Sequence, residues 1–454
     1  MTSVAFKIGL LGLGTVGTGT AEILLSPEGR HPLVQELEIY RVGVRSLDKP
    51  RTVQLPSDIL TTDIEAIVTD PEVDIVVEVL GGLEPARSLI LKAISHGKHV
   101  VTANKAVISR FGDEIFTAAN SSGVYVMLEA AVGGGIPVIQ PLKQALGVNR
   151  IQAVTGIVNG TTNYILTRMR DEGADFGEVL ADAQKLGYAE ADPTADVDGL
   201  DAADKIAILA SLAFGGRIKL EDVYCEGISK VGAADIAYAE KLGFTIKLLA
   251  IAKKVDSQKE QLSVRVHPTL VPKIHPLASI SGVYNAILVE GEPIGQVMFY
   301  GRGAGAGPTA SAVVSDILNI AAVLKIAKEQ ETRGAEENAD RNSPLPLCPS
   351  APLHPLLACS HQHYCQIAPM EELVTRFYAR FLTKDHPGVI GKLGTCFGDR
   401  GVSLESVVQT GFQNEFAEIV VVTHDVREGN FRLALDEIRT LDAVDSIASL
   451  LRVL

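Results

Sequence analysis

Phe6–Leu11 (FKIGLL) runs directly into Gly12-Leu13-Gly14-Thr15-Val16-Gly17 and the helical pattern of Thr15–Leu25. This stretch decides the reading of the first third of the chain. An apolar strand that ends in G-x-G-x-x-G and opens a helix is the phosphate-binding turn of a dinucleotide site. Gly12 allows the tight turn, Gly14 lets the backbone approach a pyrophosphate, and Gly17 lets helix and strand pack closely. The helix start at Thr15 and Val16 offers free N–H groups and a positive dipole end to the phosphates.

Outward from this turn, residues 37–44 (LEIYRVGV), 73–80 (VDIVVEVL) and His99–Thr102 read as further strands, with Ala86–Ser95 as an amphipathic helix. Continuous apolar strands alternating with helices predict a parallel sheet covered on both faces. Residues 1–130 are therefore expected to form a Rossmann-type nucleotide-binding domain of the α/β class. The second strand ends beside the adenosine ribose, where NAD sites usually place Asp or Glu. Here Arg45 follows Val44, with Lys49 close behind. Arginine can hold a 2′-phosphate bidentately, so NADP is expected over NAD, with NAD the alternative. The bland alternative is a solvated loop arginine. Lys105, in Val101-Thr102-Ala103-Asn104-Lys105, closes a strand of this sheet at the end where ligands bind.

From about Glu129 the texture changes. Gly133-Gly134-Gly135 and the stretch from Gly156 to Gly160 punctuate β-rich runs, with helical patterns at 176–186 and 202–214 and strands at 264–271 and 284–291. Residues 131–302 read as a second α/β domain. Residues 311–328 read as a long helix. Residues 331–374 are a connector, and 331–370 hold six of the 21 prolines, which predicts an exposed linker whose second half docks on a neighbour. Residues 375–454 restart in the order βαββαβ, expected as a small ferredoxin-like domain.

The strongest chemical signal is Gly187-Tyr188-Ala189-Glu190-Ala191-Asp192-Pro193, running on to Lys205. Glu190, Asp192, Asp196, Asp198, Asp201 and Asp204 place six carboxylates within fifteen residues. On a helix Asp201 and Lys205 share one face, the acid N-terminal to the base. A solvated acidic turn with a routine helical ion pair is the competing reading. Asn159-Gly160-Thr161 matches a glycosylation sequon, which carries no weight without a secretory signal.

GLGTVG, VTANKA, LEAAVGGGIP, GIVNGTTNYIL and GYAEADPTADVDGLDAADK together resemble homoserine dehydrogenase, in its monofunctional form with a C-terminal ACT domain. The resemblance runs from residue 6 to about 330 and resumes over 375–454. With no segment ahead of Met1, the form fused to an aspartate kinase is not expected. The resemblance implies reversible NAD(P)H-dependent reduction of L-aspartate 4-semialdehyde to L-homoserine, in threonine, methionine and isoleucine biosynthesis. It implies Lys205 as proton donor and Lys105 as a catalytic lysine near nicotinamide and substrate. It implies Glu190, with Asp201 and Asp196, as the substrate-binding carboxylates. Gly303 matches a later cofactor contact, so residues 303–330 are expected to return to the nucleotide domain. Glu129, with the carbonyls of Val132, Gly134 and Ile136, matches a site for a monovalent cation, sodium or potassium; a buried, hydrogen-bonded glutamate is the plain alternative. Asp385, His386 and Gly388, in Thr383-Lys384-Asp385-His386-Pro387-Gly388-Val389, match the ligand turn of an ACT domain. There Asp385 is expected to cap a helix, and L-threonine is the implied effector, acting in a homo-oligomer, dimer or tetramer. The alternatives are another NADP-dependent oxidoreductase of an amino-acid pathway, or a catalytically silent NADP-binding sensor.

Composition agrees. At 454 residues the chain suggests about three domains, at roughly 150 residues each. Its charge, 41 − 55 = −14, disfavours nucleic acid as a partner. The apolar stretches noted, such as 73–83, fall short of a membrane span, and no signal peptide is visible at the start. Five scattered cysteines fit cytosolic thiols, so a cytoplasmic enzyme without a membrane partner is expected. Cys359, His361, His363 and Cys365 have the wrong spacing for one zinc ion in a strand. The Arg45 reading has a direct check. Steady-state assays should give a lower KM for NADPH than for NADH, and a strong NADH preference would refute it.

Overall fold

The computed structural model describes residues 5–256, 261–339, 353–359, 363–413 and 415–454. Contacts divide the chain into two units. One comprises Met1–Asn149, Ser211–Arg217 and Gly301–His363; the other comprises Arg150–Ala210, Ile218–Tyr300 and Tyr364–Leu454.

The first unit holds a parallel sheet of β1 (Phe6–Leu11), β2 (Leu37–Gly43), β3 (Leu60–Thr61), β4 (Ile75–Glu78), β5 (His99–Thr102) and β6 (Val126–Met127). Its order is β3-β2-β1-β4-β5-β6, so the direction of strand addition reverses between β1 and β4. That reversal opens a crevice at the strand ends where dinucleotides bind. β4 is shorter than the apolar run 73–80. Its flanks still follow the ladder: Asp74 N donates to the Lys7 carbonyl and Val79 N to the Leu11 carbonyl, while the Asp74 side chain accepts from Lys7 N at 2.8 Å and Glu78 from Leu80 N at 2.9 Å.

The helix Ala306–Ala339 closes this unit. Residues 331–339 are therefore helical, where an exposed linker was expected. The reason is composition. Residues 331–339 are rich in Glu, Ala and Arg, good helix formers, and the prolines begin only at Pro344. Ala306–Gln330 is long and apolar enough to cross a bilayer by length and composition. Its apolar stripe is spent in the core instead: Ala310, Val313, Ile317, Ile320 and Ala321 are fully buried. The connector's second half docks on this unit, through His354 N to Tyr125 Oη at 2.8 Å and Asn120 Nδ2 to the Cys359 carbonyl at 2.7 Å.

The second unit is built on β7 (Arg150–Ile157), β8 (Tyr224–Cys225), β9 (Phe244–Asp256), β10 (Gln261–Pro272), β11 (Tyr284–Glu292), β12 (Gly295–Arg302), β13 (Gln366–Ile367), β14 (Val374–Thr383), β15 (Leu404–Gln413), β16 (Phe416–Thr423), β17 (Val426–Arg427) and β18 (Val444–Val453). The main path runs β12-β11-β7-β9-β10-β18-β14-β16-β15. Its last four strands, with the helices Val389–Asp399 and Glu428–Ile438, are the expected βαββαβ module. Phe377, Phe397 and Phe431 stack between sheet and helices, with ring centroids 4.3 Å apart for Phe377 and Phe431. The sequence pattern did not reveal that β18 also pairs in parallel with β10, Thr269 opposite Arg452 and Leu270 opposite Val453. One sheet therefore runs through both regions.

Candidate active site

The glycine turn has the geometry its motif requires. Gly12 has φ +105°, and a Cβ there would stand 3.0 Å from the Val79 carbonyl oxygen. A Cβ at Gly17 would stand 2.0 Å from the Gly12 oxygen, so the helix can approach the strand only with glycine at that position. Gly14, by contrast, faces open space. The helix Thr15–Leu25 has no side-chain cap and no acid in its first turn, so its N–H groups remain available to a phosphate. Arg45 and Lys49 are exposed in the loop after β2. Arg51, which the motif reading missed, folds that loop by donating to the carbonyls of Ser46, Leu47 and Lys49.

Lys105 begins the helix Lys105–Ser122, capped by Asn104, whose side chain accepts from Val107 N at 3.3 Å. A buried chain of hydrogen bonds fixes this corner. Thr102 Oγ1 donates to Glu78 Oε2 at 2.6 Å, Asn104 N donates to Thr102 Oγ1 at 3.0 Å, and Asn104 Nδ2 donates to the Gly82 carbonyl at 2.7 Å.

In the second unit the acidic run is sorted by burial. Glu190, Asp192 and Asp198 are exposed, Asp196 is half-buried, and Asp201 and Lys205 are only 8% and 9% exposed. A single helical turn, Thr194–Val197, precedes the helix Leu200–Phe214. Lys205 Nζ donates to Asp201 Oδ2 at 2.7 Å and to the Val158 carbonyl at 2.6 Å. Asn159 joins the group: its Nδ2 donates to Asp196 Oδ1 at 2.7 Å and to Asp201 Oδ2 at 2.9 Å, while its Oδ1 caps the helix Gly160–Glu172 by accepting from Thr162 N. The sequence reading passed over Asn159 as a sequon; its place before a helix was the usable signal. Glu190 forms no hydrogen bond or ion pair with this cluster among the described residues; its carbonyl accepts from Gln184 Nε2 at 3.0 Å.

Glu129 is 2% exposed, and its carboxylate accepts from three backbone amides, Val138 N at 2.6 Å, Ile139 N at 2.8 Å and Gln140 N at 2.8 Å. Burial raises its pKa against those amides. Its own N–H donates to Asp316 Oδ2 at 2.7 Å. Asp316 Oδ1 is buried without a hydrogen-bond partner, and burial beside Glu129 holds this carboxyl well above the usual range. The carbonyls of Val132, Gly134 and Ile136 accept no hydrogen bond among the described residues. Gly134, at φ +56°, packs on Gly303: a Cβ would stand 2.4 Å from the Gly303 oxygen.

In the ACT-like module, Lys384, Asp385, His386, Gly388, Gln409 and Ile419 line a cavity of about 220 Å³. Asp385 does not cap the helix as expected. His386, Pro387 and Gly388 lie between it and the helix, and Gly388 takes the cap position with φ +88° and no side-chain acceptor. Asp385 Oδ1 instead accepts from Gln409 Nε2 at 3.4 Å. His361 lies outside the described residues; among the described residues no three His, Cys, Asp or Glu side chains gather as a metal set.

Sequence comparison decides the lineage. A relative from Synechocystis named homoserine dehydrogenase is 66% identical over 449 residues, covering 99% of both chains. The chain belongs to the homoserine dehydrogenase family. Family models described as the homoserine dehydrogenase NAD-binding domain, homoserine dehydrogenase and the ACT domain match residues 12–129, 137–318 and 377–443. A Neisseria gonorrhoeae homoserine dehydrogenase is 41% identical over 98% of each chain. The crystal structure of a homoserine dehydrogenase from Thiobacillus denitrificans superposes with a TM-score of 0.84 at 41% identity, covering 99% of this chain and 98% of that one. As a homoserine dehydrogenase-family chain it is an oxidoreductase with an NAD(P)-binding domain and an ACT domain.

Proposed function

We propose that this chain catalyses reversible reduction of L-aspartate 4-semialdehyde to L-homoserine, with Lys205 as the proton donor. The observation that carries the assignment is the state of its ammonium. Of three N–H bonds, one is taken by Asp201 and one by the Val158 carbonyl; the third meets no acceptor among the described residues. When bound, the nicotinamide cofactor supplies or takes up the hydride. Reduction at the aldehyde carbon leaves charge on its oxygen. The Lys205 ammonium stabilises that oxygen and passes it a proton, leaving a neutral amine that regains its proton from solvent. Asp196 and Asp201 against one lysine leave one negative charge in excess, which suits a substrate ammonium. Glu190 and Lys105 are assigned to substrate and cofactor by resemblance.

Gly14's open face and the uncapped helix behind it fit a dinucleotide, and Gly12, Thr15, Val16, Gly17 and Gly303 are assigned to it. Arg45 favours NADP, in line with a hyperthermophilic archaeal homoserine dehydrogenase, 26% identical with a TM-score of 0.59, which was solved in complex with NADPH. A monovalent cation fits the free carbonyls of Val132, Gly134 and Ile136 and the remaining lone pair of Glu129: the donors are hard oxygens. For the module's cavity we propose L-threonine as effector. Its carboxylate would meet the uncapped helix start after Gly388 and its ammonium Asp385, in a homo-oligomeric enzyme whose sheet ends on the edge strands β12 and β15.

Lys205→Ala should lower kcat by about 10²-fold or more; a variant with near-normal kcat removes the proton-donor role. Replacing sodium and potassium by tetramethylammonium should reduce activity or the unfolding temperature, and no change in either removes the cation. Threonine should inhibit the full chain, and Asp385→Ala should weaken inhibition while leaving basal turnover intact. Insensitivity of the unmodified chain to threonine would sink the regulatory reading. Deleting 375–454 is a poor substitute, because it would strip β18 from β10 and expose buried charges.

A further inference from the structure

Residues 224–228 lie directly on the turn that leads into the catalytic helix. Cys225 Sγ donates to the Asp198 carbonyl at 3.2 Å, and Ile228 N donates to the Val197 carbonyl at 2.8 Å. A Cβ at Gly227 would stand 2.1 Å from the Val197 oxygen, and one at Gly199 3.1 Å from Cys225 Sγ. Two glycines are thus needed for this contact, and the turn has little room to shift against segment 224–228. Asp196 precedes the turn, and Asp201 and Lys205 follow it within one helical turn and a half.

Segment 224–228 is held in its turn by β10 and by the ACT module. β8 pairs with β10 through Tyr224 and Cys225, and Glu226 N donates to the Val266 carbonyl at 2.8 Å. From β18, Arg452 Nη1 donates to Glu226 Oε2 at 3.0 Å and Nη2 donates to Tyr224 Oη at 3.2 Å. The guanidinium lies 4.8 Å from the Tyr224 ring centroid. Its other edge is bidentate on Glu428, at 2.9 and 2.6 Å, and the Arg452 side chain is only 3% exposed. Arg265 and Arg432 add like charge nearby, which Glu428 and Glu226 offset.

We propose that Arg452 is a positioning residue for the reaction. Through Tyr224 and Glu226 it fixes the 197–199 turn, and with it the placement of Asp201 and Lys205. The proposal rests on the roles given to those two residues, and it makes this arginine the point where a shift in the ACT module reaches the catalytic helix.

The test uses the full chain with Glu226→Gln and Tyr224→Phe, each near-isosteric, and Arg439→Gln, on an exposed ACT-module pair, as control. Hydrogen exchange at amides 197–201 should quicken several-fold in the first two variants and not in the control. Turnover with aspartate semialdehyde should fall roughly tenfold, with the KM for NADPH unchanged. Unchanged exchange at 197–201 overturns the proposal, and so does unchanged kcat. The exchange readout is indifferent to which group donates the proton. Failure of the Lys205 assignment, read from Lys205→Ala, is therefore distinguishable from failure of the Arg452 link.

Discussion

The surroundings of the helix Leu200–Phe214 depend on the buried Lys205 ammonium. Lys205 sits on a helix amid apolar residues, and a charge there is tolerated only because Asp201 and the Val158 carbonyl receive two of its protons. That requirement organises its neighbours. Val158 must follow β7 with its carbonyl turned toward the helix. Asn159 must cap the next helix and still reach two carboxylates. Gly199 must adopt φ +83° so that Asp201 stands in the first turn of the helix, one turn before the lysine. Such an ion pair is weak evidence for stability, since apolar residues of the same shape would serve the fold as well. The proton-donor role proposed for Lys205 would give the pair a reason to be kept.

The first unit is governed by close backbone approach. Gly17 against Gly12, Gly134 against Gly303 and Gly19 against the Ala306 carbonyl are three places where a Cβ would collide with main chain. They bring the phosphate turn, the Glu129 segment and the start of the long helix into one packed layer. The buried Glu129–Asp316 contact lies behind that layer. Two acids sharing low-dielectric space, one with an oxygen left unpaired, are costly unless protonated or accompanied by a cation.

Much of this was legible in the residues. Phe6–Leu11, Thr15–Leu25, Ala86–Ser95, His99–Thr102 and Phe416–Thr423 are the elements the apolar periodicities predict, because each buries one face in a regular layer. The helix over 331–339 was misjudged because the proline density of 331–370 was spread over the whole stretch, although the prolines begin at Pro344 and residues 331–339 are helix formers. Local patterning carries no information about which edge strand a distant strand will join, so the β10–β18 pairing and the Arg452 contacts could not be read in advance. Within the site, the Asp201–Lys205 pair followed from helical spacing. Its burial did not, and neither did the reach of Asn159 to both carboxylates, because both depend on β7 and its neighbours folding over the helix.

The central claim is that Lys205 donates a proton and does not merely present charge. Lys205→Arg separates the two, since a guanidinium keeps the charge and hydrogen bonds but does not release a proton at working pH. In a folded Lys205→Arg variant, the rate of semialdehyde reduction in a single turnover with NADPH is predicted to collapse while NADPH still binds. A variant that retains near-normal turnover would contradict the account.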